Sequence, residues 1–173
     1  MFPGNISQTC DAEQAYIQAR LGGDVVTWIR IPKEYQPKAW NKYREPVVKL
    51  VMALYGHPDS GGYWEAHCDE RLKKEGFIPV TEWRSTYWHA KLKCLLTVYV
   101  DDFKMAGPKD NMAIAWKSIR KHILTDTPVA SAKYLGCAHR VFDSTRNGLP
   151  TREIEYDMSD FMRQCVDSYL ALA

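Results

Sequence analysis

The sequence predicts an α+β protein, an antiparallel sheet with helices on one face, and three stretches carry that prediction. "TVYVDDFKM" (97–105) reads as a strand, a tight turn and a second strand. "DNMAIAWKSIRKHIL" (110–124) places Met112, Trp116, Ile119 and Ile123 on one helical stripe. "KYLGCAHRVF" and "REIEYDM" flank an Asn147-Gly148 pair, a strong hairpin signal. Strands and helices follow one another in mixed order, which is the pattern of an α+β fold.

The remaining elements follow in chain order. Asp11 is placed to cap a short helix over residues 12–19. "DVVTWIRI" (24–31) alternates like a strand, with Val25, Thr27, Ile29 and Ile31 on one face. A proline-bounded loop covers residues 32–46, and a second, "GHPDSGG", covers 56–62. "YWEAHCDERLKKEG" (63–76) reads as a helix with Trp64, Cys68 and Leu72 on its apolar face and Gly76 as its C-terminal cap. Two strands are expected around Thr86–Trp88 and Leu95–Val100, the second apolar on both faces and therefore central and buried. Asp110 is placed to cap the helix at 110–124, with Lys117, Arg120 and Lys121 mostly turned away from its stripe. Ser159 is placed to cap a last helix carrying Phe161, Cys165 and Tyr169.

Composition narrows the classes. The 173 residues suit one domain with a real core. A formal charge of +2 neither requires nor excludes a nucleic-acid partner. Five scattered cysteines without a CxxC read as buried free thiols in a reducing compartment. The first ten residues lack a basic, apolar leader, so no secretion is expected, and no stretch has the length of a membrane span. The "NIS" at Asn5 matches a glycosylation pattern that matters only in a secreted chain. The five histidines show no zinc-finger or HExxH spacing, and "HCDE" (67–70) lies on an amphipathic helix, so zinc is not expected. Trp64 and Trp116 read as core. Tyr87 and Trp88 fit either core or surface.

Asp101 and Asp102 are the chemical puzzle. As the central residues of a two-residue hairpin loop they would be an ordinary solvated turn. At the end of a buried strand they would instead face a cleft and repel each other unless a cation joined them. A third carboxylate would make two-metal phosphoryl transfer plausible, and Asp11 is a candidate for it as well as for a helix cap.

"TVYVDDFKMAG" resembles the YVDD box of reverse transcriptases. "CDAEQAYIQARLGGDVVTWIRIPKEY" resembles the block around the first catalytic aspartate in copia-type LTR retrotransposons. "VVKLVMALYGHPDSGGYWEAHCDERLKKEGF", "KYLGCAHRVF" and "REIEYDMSDFMRQCVDSYL" resemble three later blocks of that family, in family order. The resemblance implies a reverse transcriptase palm, with residues 1–173 as one partial domain, about 8–158 palm and 159–173 the start of the thumb. It implies RNA-directed DNA polymerase activity with two magnesium ions, or manganese, held by Asp11 and Asp101, and Asp102 beside them. A main-chain carbonyl at Ala12 or Glu13 would complete the metal shell. Tyr16 would lie under the incoming sugar and select deoxynucleotides. Tyr99 and Val100 would touch the primer end and the nascent base pair. The implied partners are an RNA or DNA template-primer, deoxynucleoside triphosphates and the rest of a polyprotein, with no membrane. The implied location is a cytoplasmic virus-like particle or the nucleus.

The departures are specific. Asp59 stands where the family carries a nucleotide-contacting Gln. Ser60-Gly61-Gly62 removes a basic residue of the family block. The family's fingers strands and most of its thumb have no counterpart in these residues. The isolated chain is therefore expected to show little or no polymerase activity. The other reading is an inactive retroelement remnant that binds nucleic acid or protein.

Overall fold

The computed structural model describes residues 4–172. In chain order these form β1 (Asn5–Asp11), β2 (Trp28–Ile29), β3 (Val48–Lys49), α1 (Ser60–Lys74), β4 (Ile78–Pro79), β5 (Thr86–His89), β6 (Cys94–Tyr99), β7 (Asp102–Pro108), α2 (Lys109–Ile119), β8 (Val129–Ala130), β9 (Lys133–Tyr134), β10 (Cys137–Arg146), β11 (Leu149–Asp157) and α3 (Ser159–Leu172). The fold is mixed α+β, and the strand pairings among the described residues are antiparallel. The chain forms two compact units, residues 14–70 and the remainder.

The larger unit is built on a six-stranded sheet in the order β4-β5-β6-β7-β1-β8. Alternation along β7 sends Phe103, Met105 and Gly107 inward and leaves Asp102, Lys104 and Ala106 half-buried on the opposite face. α2 packs against β6 and β7. Its Met112, Ala115, Trp116 and Ile119 are buried, as are Leu96, Phe103 and Met105 of those strands. The Trp116 indole N–H donates to the Gln8 side-chain carbonyl at 2.9 Å, which satisfies its one polar atom inside the core. Gly107 is required by this packing, because a Cβ there would lie 2.7 Å from Cys94 Sγ. A second sheet, β11-β10-β9, turns at Asn147 and Gly148, both with positive φ as a two-residue hairpin requires.

α1 runs one turn earlier than its sequence stripe suggests and buries Trp64, Cys68 and Leu72. Its end is a Schellman cap: Phe77 N–H donates to Leu72 C=O, Gly76 N–H to Lys73 C=O, and Gly76 has φ +87°. In the smaller unit, Leu54 N–H donates to the Ser60 hydroxyl at 2.9 Å, and that hydroxyl donates to Leu54 C=O at 2.7 Å. This explains a fully buried serine.

Several expectations are corrected. Residues 24–31 pair only at Trp28–Ile29, because Val25, Val26 and Trp28 are exposed and no sheet face covers them. Residues 12–19 form only a 3₁₀ turn at Ala15–Gln18, entered through Gln14 at φ +50°. Asp11 ends β1 instead of capping a helix. α2 is preceded by Pro108, so Asp110 lies in the first turn, where its charge suits the helix dipole but caps nothing. The helix closes at Ile119, where Lys121 and His122 N–H groups tighten onto i−3 carbonyls, yet Ile123 stays buried. At α3, the Asp157 carboxylate accepts from Ser159 N–H at 2.9 Å, so Asp157 supplies the cap. β6 is central but covered on one face only: Cys94 and Leu96 are buried while Tyr99 is 61% exposed. Of the cysteines, all free, Cys137 is half-buried and Cys165 exposed. Among the described residues no helix is long and apolar enough to cross a membrane.

Candidate active site

The β6–β7 hairpin pairs Tyr99 with Asp102, so its two loop residues are Val100 and Asp101. This corrects the expectation that both aspartates form the loop. Val100 has φ +56°. A β-branched residue in that region stores roughly 1–3 kcal/mol of strain, which the pairing on both sides of the tip must hold.

β1 lies on the other side of β7, with Asp11 opposite Asp102. Ala12 N–H donates to Asp101 C=O at 2.7 Å. That makes 12/101 the hydrogen-bonded pair and 11/102 the narrow one, where Cα atoms approach to about 4.5 Å and side chains lie closest. Tyr99, Asp102 and Asp11 therefore stand in a row across three adjacent strands on the face away from α2. Asp101 sits at the tip beside them. A fourth carboxylate, Asp126, is tied in because its N–H donates to Asp11 C=O at 2.9 Å.

The electrostatics follow from this crowding. Partial desolvation, then the charges of Asp101 and Asp102, push the Asp11 carboxyl above its usual range, and Asp126 adds to the shift. On the same face Lys104 lies 5.3 Å from the Tyr134 ring centre and 5.6 Å from that of Tyr156. Burial lowers its pKa. Tyr134 hydroxyl donates to Asp102 C=O at 3.4 Å. Burial raises the Tyr134 pKa. Sequence reasoning missed Asp126, Lys104 and Tyr134. Only the alternation through "DDFK" signalled Lys104, since it shares a face with Asp102.

The structure brings together Asp11, Asp101, Asp102, Tyr99 and Val100. Tyr16 and Asp59 belong to the smaller unit. There the Tyr16 ring lies 4.4 Å from that of Tyr55, tilted by 32°. Asp59 is exposed, and its N–H donates to His57 Nδ1 at 3.2 Å.

The donor set bears on the expected magnesium or manganese. Carboxylate oxygens are hard ligands suited to either ion, and a divalent cation would offset both the partial desolvation of Asp11, the main reason its pKa is raised, and the neighbouring charges of Asp101 and Asp102. Among the described residues no group of three or more His, Cys, Asp and Glu forms a ready cage. The carboxylates thus fit an open site of one or two protein ligands, completed by water and phosphate oxygens, rather than a closed structural one. No family model matches the chain, and no curated protein matches it.

Proposed function

We propose that the chain is the palm of an RNA-directed DNA polymerase of the copia retrotransposon type. The observation that carries the reading is the juxtaposition of Asp11 and Asp102 across the narrow β1/β7 pair, with Asp101 at the adjoining tip. Residues ninety positions apart in the sequence are the two halves of the aspartate set that the resemblance requires.

Asp11 and Asp101 would hold two divalent cations, with Asp102 contributing to the field. When bound, such ions stabilise charge on the attacking and departing oxygens of an in-line phosphoryl transfer. The chain's own contribution is positioning. Strand pairing fixes Asp11 and Asp102, the strained tip fixes Asp101, and Tyr99 and Val100 present the surface that meets the primer end. Tyr16 would select against a 2′-hydroxyl.

A second reading, a non-catalytic nucleic-acid or protein binding remnant, draws support from Asp59, a carboxylate where the family carries a neutral amide. Binding of manganese with dTTP separates the two, and needs no turnover. Loss of the free Mn²⁺ paramagnetic resonance signal is followed as protein is added. The palm reading expects binding that Asp11→Asn and Asp101→Asn each weaken by at least tenfold. Equal binding by wild type and both variants, or none, sinks it.

A further inference from the structure

The loop between β2 and β3 has no role in the palm reading. It is long for a connection without a hydrophobic core of its own, and loops of this length are commonly functional. None of residues 30–46 is buried. Yet it carries three aromatic side chains: Tyr35, 76% exposed, Tyr43, 56% exposed, and the half-buried Trp40. Between Arg30 and Pro46 stand Arg30, Lys33, Lys38, Lys42 and Arg44 against Glu34 and Glu45.

Arg30, Lys33, Trp40, Tyr43 and Arg44 are among the residues that line a cavity of about 570 Å³. Glu45 also lines it, but its charge is met by Arg30 at 3.3 Å. Lys33, Lys38 and Arg44 take part in no ion pair among the described residues. Lys42 Nζ sits 5.2 Å from the Tyr43 ring centre. The shape is held by two 3₁₀ turns, Lys33–Tyr35 and Lys38–Lys42, each entered through a proline, and by Gln36 Nε2 donating to Ile31 C=O at 2.7 Å. Fixed proline φ angles limit the ordering that a ligand would have to impose.

We infer that this pocket binds single-stranded nucleic acid, with bases against Trp40 and Tyr43 and the backbone phosphates along Lys33 and Arg44. Aromatic faces beside a row of cations are what sequence-tolerant single-strand binding needs. A membrane surface would call for a continuous apolar face, whereas Ile31, Pro32 and Pro46 line the cavity interspersed with charged side chains. An acidic protein would match the charges but leave the exposed rings unexplained. The site is separate from the carboxylates, so it stands whether or not the chain is a polymerase.

The test is fluorescence anisotropy of a labelled short oligo(dT), without divalent ions, using the full chain. Wild type should bind, with affinity falling as salt rises. Trp40→Ala and Tyr43→Ala should each weaken binding on the order of tenfold, and Trp40→Phe should recover most of the loss. Lys33→Ala and Arg44→Ala should each lower the salt slope by roughly 0.7. Circular dichroism should be unchanged throughout, since no buried side chain is altered. Unchanged affinity in both aromatic variants overturns the inference. So does displacement of the DNA by polyglutamate as effectively as by unlabelled oligo(dT), which would assign the pocket to an acidic protein. A duplex that competes as well as the single strand overturns it also.

Discussion

Asp11 and Asp102 face each other across the narrow pair that joins β1 to β7. Like charges placed directly opposite destabilise a sheet. Desolvation first, then the charges of Asp101 and Asp102, raise the Asp11 pKa, so its ionised form costs stability above the raised value, and the cost fades as pH falls through it toward the unfolded value. Asp11→Asn should therefore stabilise the metal-free protein near neutral pH. After allowance for solvent screening the gain is about 0.5 kcal/mol, or roughly 1–2 °C in thermal unfolding. Adding magnesium should raise the wild-type midpoint and leave the variant's nearly unchanged. A variant less stable than wild type without metal would contradict the unfavourable crowding of Asp11 with Asp101 and Asp102.

Glu75, just beyond α1, reaches the end of α2. Its carboxylate accepts from Lys121 Nζ at 3.0 Å and lies 2.8 Å from His122 Nε2. The Lys121 hydrogen bond, then that of His122, lowers the Glu75 pKa below the ordinary glutamate range. With a lowered folded pKa, this stabilisation is complete above the unfolded value and is lost as pH drops through the folded one. Glu75→Gln should cost about 1 kcal/mol at pH 7. The difference from wild type should shrink below about pH 4.5, as the Glu75 carboxyl protonates first in the unfolded chain and then in the folded one. Urea unfolding at pH 7 and pH 3.5 measures both.

Two glycines should respond differently to alanine. At Gly107 a methyl group would meet Cys94 Sγ at 2.7 Å and the Lys93 carbonyl at 3.1 Å. The sheet must shift, at a cost of about 1–3 kcal/mol. At Gly148 nothing lies within 4 Å, and the positive φ of 75° is the only obstacle. Its alanine variant should lose at most about 1 kcal/mol. Denaturant midpoints that reverse this order would contradict the packing of β6 on β7.

The thiols should separate by burial. Desolvation pushes Cys10 up to about 11 and Cys68 up to about 12, and raises Cys94 as well. Cys165 is exposed and Cys137 half-buried. An aromatic disulfide reagent should label Cys165 first and Cys137 next, with the other three reacting only in denaturant. Cys165→Ser should remove the fastest phase. Rapid modification of Cys10 would contradict the sheet order that covers it.

The sequence was most legible where a local rule fixed the geometry. Asn147-Gly148 forced a hairpin, and Gly76 after a helical stripe forced a Schellman cap. It was least legible where partners were distant. β1 has no strong alternation of its own, and Asn5–Asp11 is a strand because β7 supplies its hydrogen bonds. Residues 24–31 failed the other way, since Val25, Thr27, Ile29 and Ile31 alternate well but only Trp28–Ile29 pairs as a strand, and Val25 is left exposed. Within the candidate site, the "VDD" run located the tip but not its register, because a shift of one residue depends on Tyr99 pairing with Asp102. Asp126 could not be found locally, since its links to Asp11, a main-chain hydrogen bond and a through-space charge, leave no pattern in the sequence.

The carboxylate site itself is open to direct mapping. Paramagnetic broadening by Mn²⁺, read in ¹H–¹⁵N spectra of the labelled chain, reports which amides lie near the ion. The palm reading predicts that trace Mn²⁺ first erases the amides of Asp11, Ala12, Asp101 and Asp102, that excess magnesium restores them, and that Asp11→Asn abolishes the effect. Broadening that begins elsewhere, or that persists unchanged in Asp11→Asn, would show that these aspartates are a solvated strand end and not a metal site.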